Sequence, residues 1–445
     1  MKKINVILGL LLLITACDNN LEQFPPNIAS SNSLTDFGGV LNGAYYYQLA
    51  SVTPMAVMGD FRADNAHMTE SPYTEFDQFT PNLVAMNNQF FGPFYSALYK
   101  SILSANNVIE NSKDAIQVGE AKFVRALSYF KLVLVFGDVP VNLSPSPSPS
   151  DPSIFERQPV SSIYNEVIIP DLEAAIAALV PSPRVAGRAS KYAAQGLLGK
   201  VYMHMGNFAL AETNLAAVVN GATAAGIILK PSFTTIFGVA NETNNTEVIF
   251  ATKILSSVVD EYGFTEFWGW YGGLDTKSLA PLDADLDAAF TAMETADTGA
   301  KTDLRRAVTI NAGKTASPKF PQTGGADHDW IELRFADVLL LYAEALNENG
   351  KSDEALVQLN KVHTRAGLTA LTNAVLSTQA LVRQAIYNER RLELAFEGHR
   401  WFDLVRTGTV NAEMGQTVDS KYHIFPIPLS EILATNGVIT QNDGY

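Results

Sequence analysis

Apolar residues recur at spacings of three and four through most of the chain after Leu34, the pattern of helices that turn one face to a core. LTDFGGVLNGAYYYQLA, FFGPFYSALYKSILSANNVIENS and GEAKFVRALSYFKLVLVFG each carry it, and Gly119, Gly137 and the Asp-Val-Pro that follows are expected to stop or start helices. Two later segments align without gaps, one from Tyr192 and one from Arg334. Placing Gly206 on Gly350 puts Tyr202 on Leu346, Ala211 on Ala355, Leu215 on Leu359 and Val218 on Val362. The glycine lets the chain reverse, and the alanine lets the second helix approach the first. Agreement at small and large positions together predicts tetratricopeptide-type helical hairpins, repeated near 120–220 and 334–407.

Between the hairpins the pattern changes. SPSPSPSDP, Ser144 to Pro152, is a proline-extended surface loop. A loop-rich insertion near 227–325 holds two β-branched runs, IILKPSFTTIFG and EVIFATKILSSVV, that are expected to pair as a small sheet. The stretch from DEYGFTEFWGWYGG to Gly325 reads as long loops, which in a helical protein usually carry function. The fold class is therefore mostly α, with a small β element and long loops.

The amino terminus stands apart. MKKINVILGLLLLITAC has two lysines, an apolar run too short to span a bilayer, and small residues before the chain's single cysteine. This predicts a signal peptide over 1–16 and lipidation at Cys17, with Ile14 where a bacterial lipoprotein box usually has Leu. Several acyl chains would anchor the protein firmly, each buried methylene contributing about 0.8 kcal/mol. The polar, proline-bearing residues 17–33 suit a flexible tether, and one folded domain follows over 34–445. Removal of Lys2 and Lys3 takes the formal charge from −15 to −17, which disfavours nucleic acid and anionic membranes as partners. One cysteine permits no internal disulfide.

The richest concentration of titratable groups is NERRLELAFEGHRWFDLVRTG, Asn388 to Gly408. On a helix Glu389, Glu393 and Glu397 would share one stripe, with arginines alongside. Acid–base catalysis needs an activated nucleophile, a metal pair, or carboxylates in contrasting surroundings, and none is present. None of His67, His204, His328, His363, His399 and His423 has another histidine at metal-ligand spacing, and no Gly-x-Ser-x-Gly occurs. The segment reads as a structural ion network; no catalytic residue, cofactor or metal is assigned.

This segment, with KYHIFPIPLSEILATNGVITQNDGY after it, resembles the carboxyl-terminal signature of the SusD/RagB family of outer-membrane nutrient-binding lipoproteins. LNGAYYYQ, GEAKFVRALSYFKLVLVFGDVP, LRFADVLLLYAEALNENG and HTRAGL match in family order. The resemblance implies a SusD-like binding domain at the cell surface, held in the outer membrane by its lipid anchor. It implies an oligosaccharide ligand and, as partner, a SusC-type TonB-dependent transporter. A peptide ligand, as in the RagB branch, is the alternative; a tetratricopeptide adaptor without small ligand is a third reading.

A glycan site needs aromatic platforms for C–H faces and polar partners for hydroxyls. Trp268, Trp270 and Tyr271 in FWGWYGG, with Tyr262 nearby, form one candidate, either an exposed stacking loop or rings that fill the core. GDFRADNAHMTESPYTEFDQF is the second, with Arg62, Asp64, Asn65 and Tyr73 as ligand-binding candidates, or else a structural turn network. Trp330 and Trp401 are expected in the core.

Overall fold

The computed structural model describes residues 36–445 except 149, 182–186, 244, 259, 262, 273–281 and 322–326. Two long helices, Gly92–Asn111 and Ala115–Phe136, pack as an antiparallel pair. Asp114 caps the second by accepting from the Ile116 N–H at 2.8 Å, and Gly137, at φ +71°, ends it. Gly119 does not interrupt this helix as the sequence suggested. It lies inside it, where an added Cβ would come within 2.8 Å of the Ala178 methyl; the glycine permits close packing of the Ile169–Ala178 helix.

The hairpins follow. Lys191–His204 and Phe208–Gly221 form one, Phe335–Glu348 and Ser352–Arg365 the other. Gly206 and Gly350 take φ of +69° and +78°, the left-handed turn that a residue with a side chain adopts at a cost. Ala211, Leu215 and Val218, and their counterparts Ala355, Leu359 and Val362, are all fully buried. The hairpins stack on each other through Phe208–Gly221 and Phe335–Glu348, and the Gln379–Glu393 helix covers the second.

Strand Val248–Thr252 pairs antiparallel with Trp330–Arg334, and not with the 227–238 run as expected. Pro231 interrupts that run and removes a ladder donor. Its apolar residues Phe233, Ile236 and Phe237 instead form a small cluster of their own. A second departure is the Ala284–Ala296 helix, in a stretch read as loop. Asp283 caps it, and Leu286 and Phe290, four apart, are its buried contacts. Trp330 and Trp401 are buried, as their positions suggested.

The acid- and arginine-rich signature holds these parts together. The helix stops at Glu393, so Glu397 does not continue its stripe. A reversal with φ of +67° at Phe396 and +74° at Gly398 brings Glu397 back beside Glu393. Arg334 meets Glu247 at 2.9 Å, Glu393 at 2.5 Å and Glu397 at 2.6 Å, while Lys319 meets Glu397 at 2.8 Å. Arg305 meets Asp303 and Glu389 at 2.7 and 2.6 Å, and Arg365 bonds Glu247 and Glu393. Burial works to raise the Glu393 carboxyl, but Arg365, Arg334 and Arg305 outweigh it and hold it well below the usual glutamate range. These side chains are shut off from solvent, which is the geometry of a structural network and not of a site that admits substrate.

Candidate functional site

The two candidate segments, some two hundred residues apart in sequence, meet in space. The Val52–Ala56 helix runs into a π-turn, Val57–Phe61, that sets Asp60 inside the protein. Asp60 is the junction. Its Oδ1 accepts from the Asn65 amide at 2.9 Å and the Phe396 N–H at 3.1 Å; its Oδ2 accepts from the Gly398 N–H at 2.7 Å and lies 3.2 Å from the Tyr271 hydroxyl. Burial pushes this carboxyl up to about 6 in spite of those bonds. The junction demands bare backbone. A Cβ on Gly59 would fall 2.3 Å from the Gly398 backbone.

Around the junction most of the sequence-predicted residues turn inward. Arg62 is fully buried: it donates to the carbonyls of Phe76 at 2.8 Å and Tyr422 at 2.6 Å, and its guanidinium lies over the Phe79, Phe425 and Trp401 rings. Asp64 takes a two-pronged bond from Arg400, both distances 2.7 Å, and an ion pair with Arg391 at 3.0 Å. Asn65 spends its amide on Asp60 and its oxygen on Arg391. Asp64 and Asn65 bind the amino-terminal segment to the signature. In this arrangement they lie beneath the surface and do not face solvent.

The aromatic segment is a short helix, Phe267–Gly272, where a loop was expected. The difference matters. Successive helical residues are rotated by about 100°, so Trp268 and Trp270 project roughly oppositely instead of sharing a face as they would in extended chain. Trp268 packs its half-buried ring against His328 at 5.9 Å, with its indole N–H buried and without a partner among the described residues. Trp270 turns the other way, edge-on to Tyr73 at 5.2 Å and to Phe61 at 6.4 Å. Tyr271 is buried, stacked on Phe61 at 5.2 Å with its hydroxyl 2.9 Å from the Ala56 carbonyl. The three rings therefore form no single platform. Tyr262 and Cys17 lie outside the described residues.

Tyr73 and Trp270, one ring from each segment, are half-buried and meet edge-on, while Trp268 is half-buried on the opposite side of its helix. His67, on the same amino-terminal segment, is partly exposed 3.9 Å from Asp283, whose N–H bonds the Asn65 carbonyl. Burial raises the nearby Asp77 carboxyl, opposed by His67 and Arg62. Sequence reasoning missed Phe61, the ring beneath the pair, and Asp283; the cap before the unexpected helix was the available signal for the latter. A separate mixed cleft of about 470 Å³ lies by the paired strands, lined by Phe237, Glu242, Phe320, His328 and Asp329 among others. Lys253 meets both Glu242 and Asp329, at 3.2 and 2.8 Å. Among the described residues no group of three or more His, Cys, Asp or Glu is placed to hold a metal.

Comparison with known proteins agrees from both ends of the chain. Residues 18–203 match the family model described as starch-binding, associating with the outer membrane, and residues 294–445 match the SusD family model. SusD-like protein P2 of Formosa agariphila is 24% identical over the whole of both chains. A SusD superfamily protein of Bacteroides thetaiotaomicron VPI-5482 is 26% identical with a TM-score of 0.76, over 93% of this chain and 100% of that one. A laminarin-binding SusD-like protein shares the fold at a TM-score of 0.70 and 24% identity, over 93% and 99%. With its helical hairpins, its signature network and these matches, the chain belongs to the SusD/RagB family, whose members bind their substrates and do not transform them.

Proposed function

We propose that this protein is a lipid-anchored, cell-surface lipoprotein that captures an oligosaccharide on the Tyr73–Trp270 pair and delivers it to a SusC-type TonB-dependent transporter. The observation that carries the site is the convergence of two separate segments on one pair of half-buried rings in edge-on contact, backed by a buried framework. Such rings cover the apolar face of a sugar, and the partly exposed His67 and Asp283, which lie 3.9 Å apart, are candidate hydroxyl partners. The outer-membrane and starch-binding description of the matched family supports both ligand class and location. The match that begins at residue 18, directly after Cys17, accords with a mature chain starting at the lipidated cysteine.

Isothermal titration of the parent, Tyr73→Ala and Trp270→Ala against neutral starch- and laminarin-type oligosaccharides and peptides is the test. Covering an area of about 50–100 Å² per ring at about 25 cal/mol per Å² contributes roughly 1–3 kcal/mol, so each truncation should weaken oligosaccharide binding by about 5- to 150-fold. A peptide bound more tightly than every oligosaccharide would move the assignment to the peptide branch. Unchanged affinities in both variants would remove the pair from the site.

A further inference from the structure

A second cleft, of about 280 Å³, shares no lining residue with the first. The Gly92–Asn111 helix forms its floor, the Leu429–Ala434 helix one side, and Asn142 and Pro147 the other. Its floor is aromatic. The rings of Tyr95 and Tyr99 sit 4.7 Å apart at 38°, with Ile102 and the 42% exposed Leu103 continuing the apolar wall one turn on.

Two polar groups in this cleft are not satisfied as their counterparts elsewhere are. Tyr95 is 3% exposed, and among the described residues its hydroxyl finds no well-aligned hydrogen-bond partner although the Tyr99 hydroxyl is close by, that hydroxyl donating to the Pro140 carbonyl at 2.7 Å. Glu431 is half-buried at the rim. The Ser430 hydroxyl approaches its carboxylate at 3.4 Å, and among the described residues no Lys, Arg or His reaches it. Other shielded carboxylates, such as Glu332, Glu344 and Asp403, each have a cation within bonding distance. Lys100, at the far end, is turned to Glu261 at 2.9 Å.

We propose that this cleft is a binding site for an aliphatic cation, an alkylammonium or alkylguanidinium group of the kind carried by lysine and arginine. The carbon stem would lie along Leu103, and the charged head would meet the Tyr99 ring, stacked beside the buried Tyr95, and the Glu431 carboxylate. Cations are attracted to tyrosine faces, and long basic side chains bury their stems while pairing their heads. A sugar fits worse, because hydroxyls set against Leu103 would lose water without gaining partners. An anion would meet Glu431 with like charge. The site is independent of the Tyr73–Trp270 pair.

The test uses the full chain labelled with 3-fluorotyrosine and followed by fluorine NMR, with the Tyr95 and Tyr99 signals identified by Tyr→Phe substitution. Pentylammonium and pentylguanidinium should shift both signals saturably, and pentan-1-ol should need about tenfold more to do the same. Glu431→Gln, a change at a partly exposed surface position, should abolish that preference; Trp270→Ala should leave it intact. Blocked tripeptides centred on Lys or Arg distinguish the source: tighter binding than pentylammonium indicates a peptide side chain, and weaker binding a free amine. Equal response to pentanol and pentylammonium, a preference that survives Glu431→Gln, or stronger shifts from methyl glucoside would each overturn the proposal.

Discussion

Replacing Arg334 by Met tests whether the signature is structure or site. The side chain is 1% exposed and bonds three carboxylates, Glu247, Glu393 and Glu397, as well as the Glu393 carbonyl at 2.7 Å. Methionine preserves much of the volume, so the change removes charge and donors more than packing. Lys319, Arg305 and Arg365 remain, but they then face Glu247, Asp303, Glu389, Glu393 and Glu397 with one cation fewer. Breaking a buried pair costs about 3–5 kcal/mol. With a melting entropy of about 2.1 cal/mol/K per residue over roughly 400 folded residues, that loss lowers the melting temperature by about 4–6 °C. Differential scanning calorimetry reads it. Glu212→Gln is the control: its partner Lys351 is an exposed lysine, so the change should leave the melting temperature within about 1 °C of the parent. Oligosaccharide affinity of the folded Arg334→Met protein should match the parent's. A melting temperature within about 1 °C of the parent, or a large affinity loss without thermal change, would refute the structural assignment.

Gly59→Ala should destabilise by about 1–3 kcal/mol or more, because its methyl would overlap the Gly398 backbone; an unaltered melting temperature would show that the junction can yield. His399 gives a pH signature. Burial and the Lys200 ammonium press its imidazole down to about 4, so the neutral form's contribution is complete above about 6.5 and is lost as pH falls toward 4. By pH 5 the loss is about 2 kcal/mol, and His399→Gln should therefore lose about 2 °C less than the parent between pH 7 and 5. Asp60, raised to about 6, works in the opposite direction by favouring the fold as pH falls, so the difference between the two proteins is the quantity to follow. Cys17→Ala should move folded protein from the membrane fraction to the soluble one, and full retention would count against lipid anchoring.

The helical hairpins were legible in the sequence because a helix is a local object. Its face is written in residues three and four apart, and the Gly206 and Gly350 turns with Ala211 and Ala355 describe a close-packed pair without reference to the rest of the chain. The signature's structural character was legible too, since four arginines among its acids favour ionised, paired carboxylates. The partners were not. Arg305, Lys319, Arg334 and Glu247 come from distant segments, and nothing local marks them as members of one network. The strand at Val248–Thr252 found Trp330–Arg334 over the nearer run for the same reason: pairing is chosen by the whole fold. At the candidate site, sequence named both segments but could not say which side chains would face water. One helical turn at Phe267–Gly272 sent Trp268 and Trp270 apart, and the charge demand of Arg391 and Arg400 drew Asp64 and Asn65 inward. Local periodicity determined the elements of this protein; the exposure of each candidate side chain was decided by contacts across the fold, where burial must be met by partners from elsewhere in the chain.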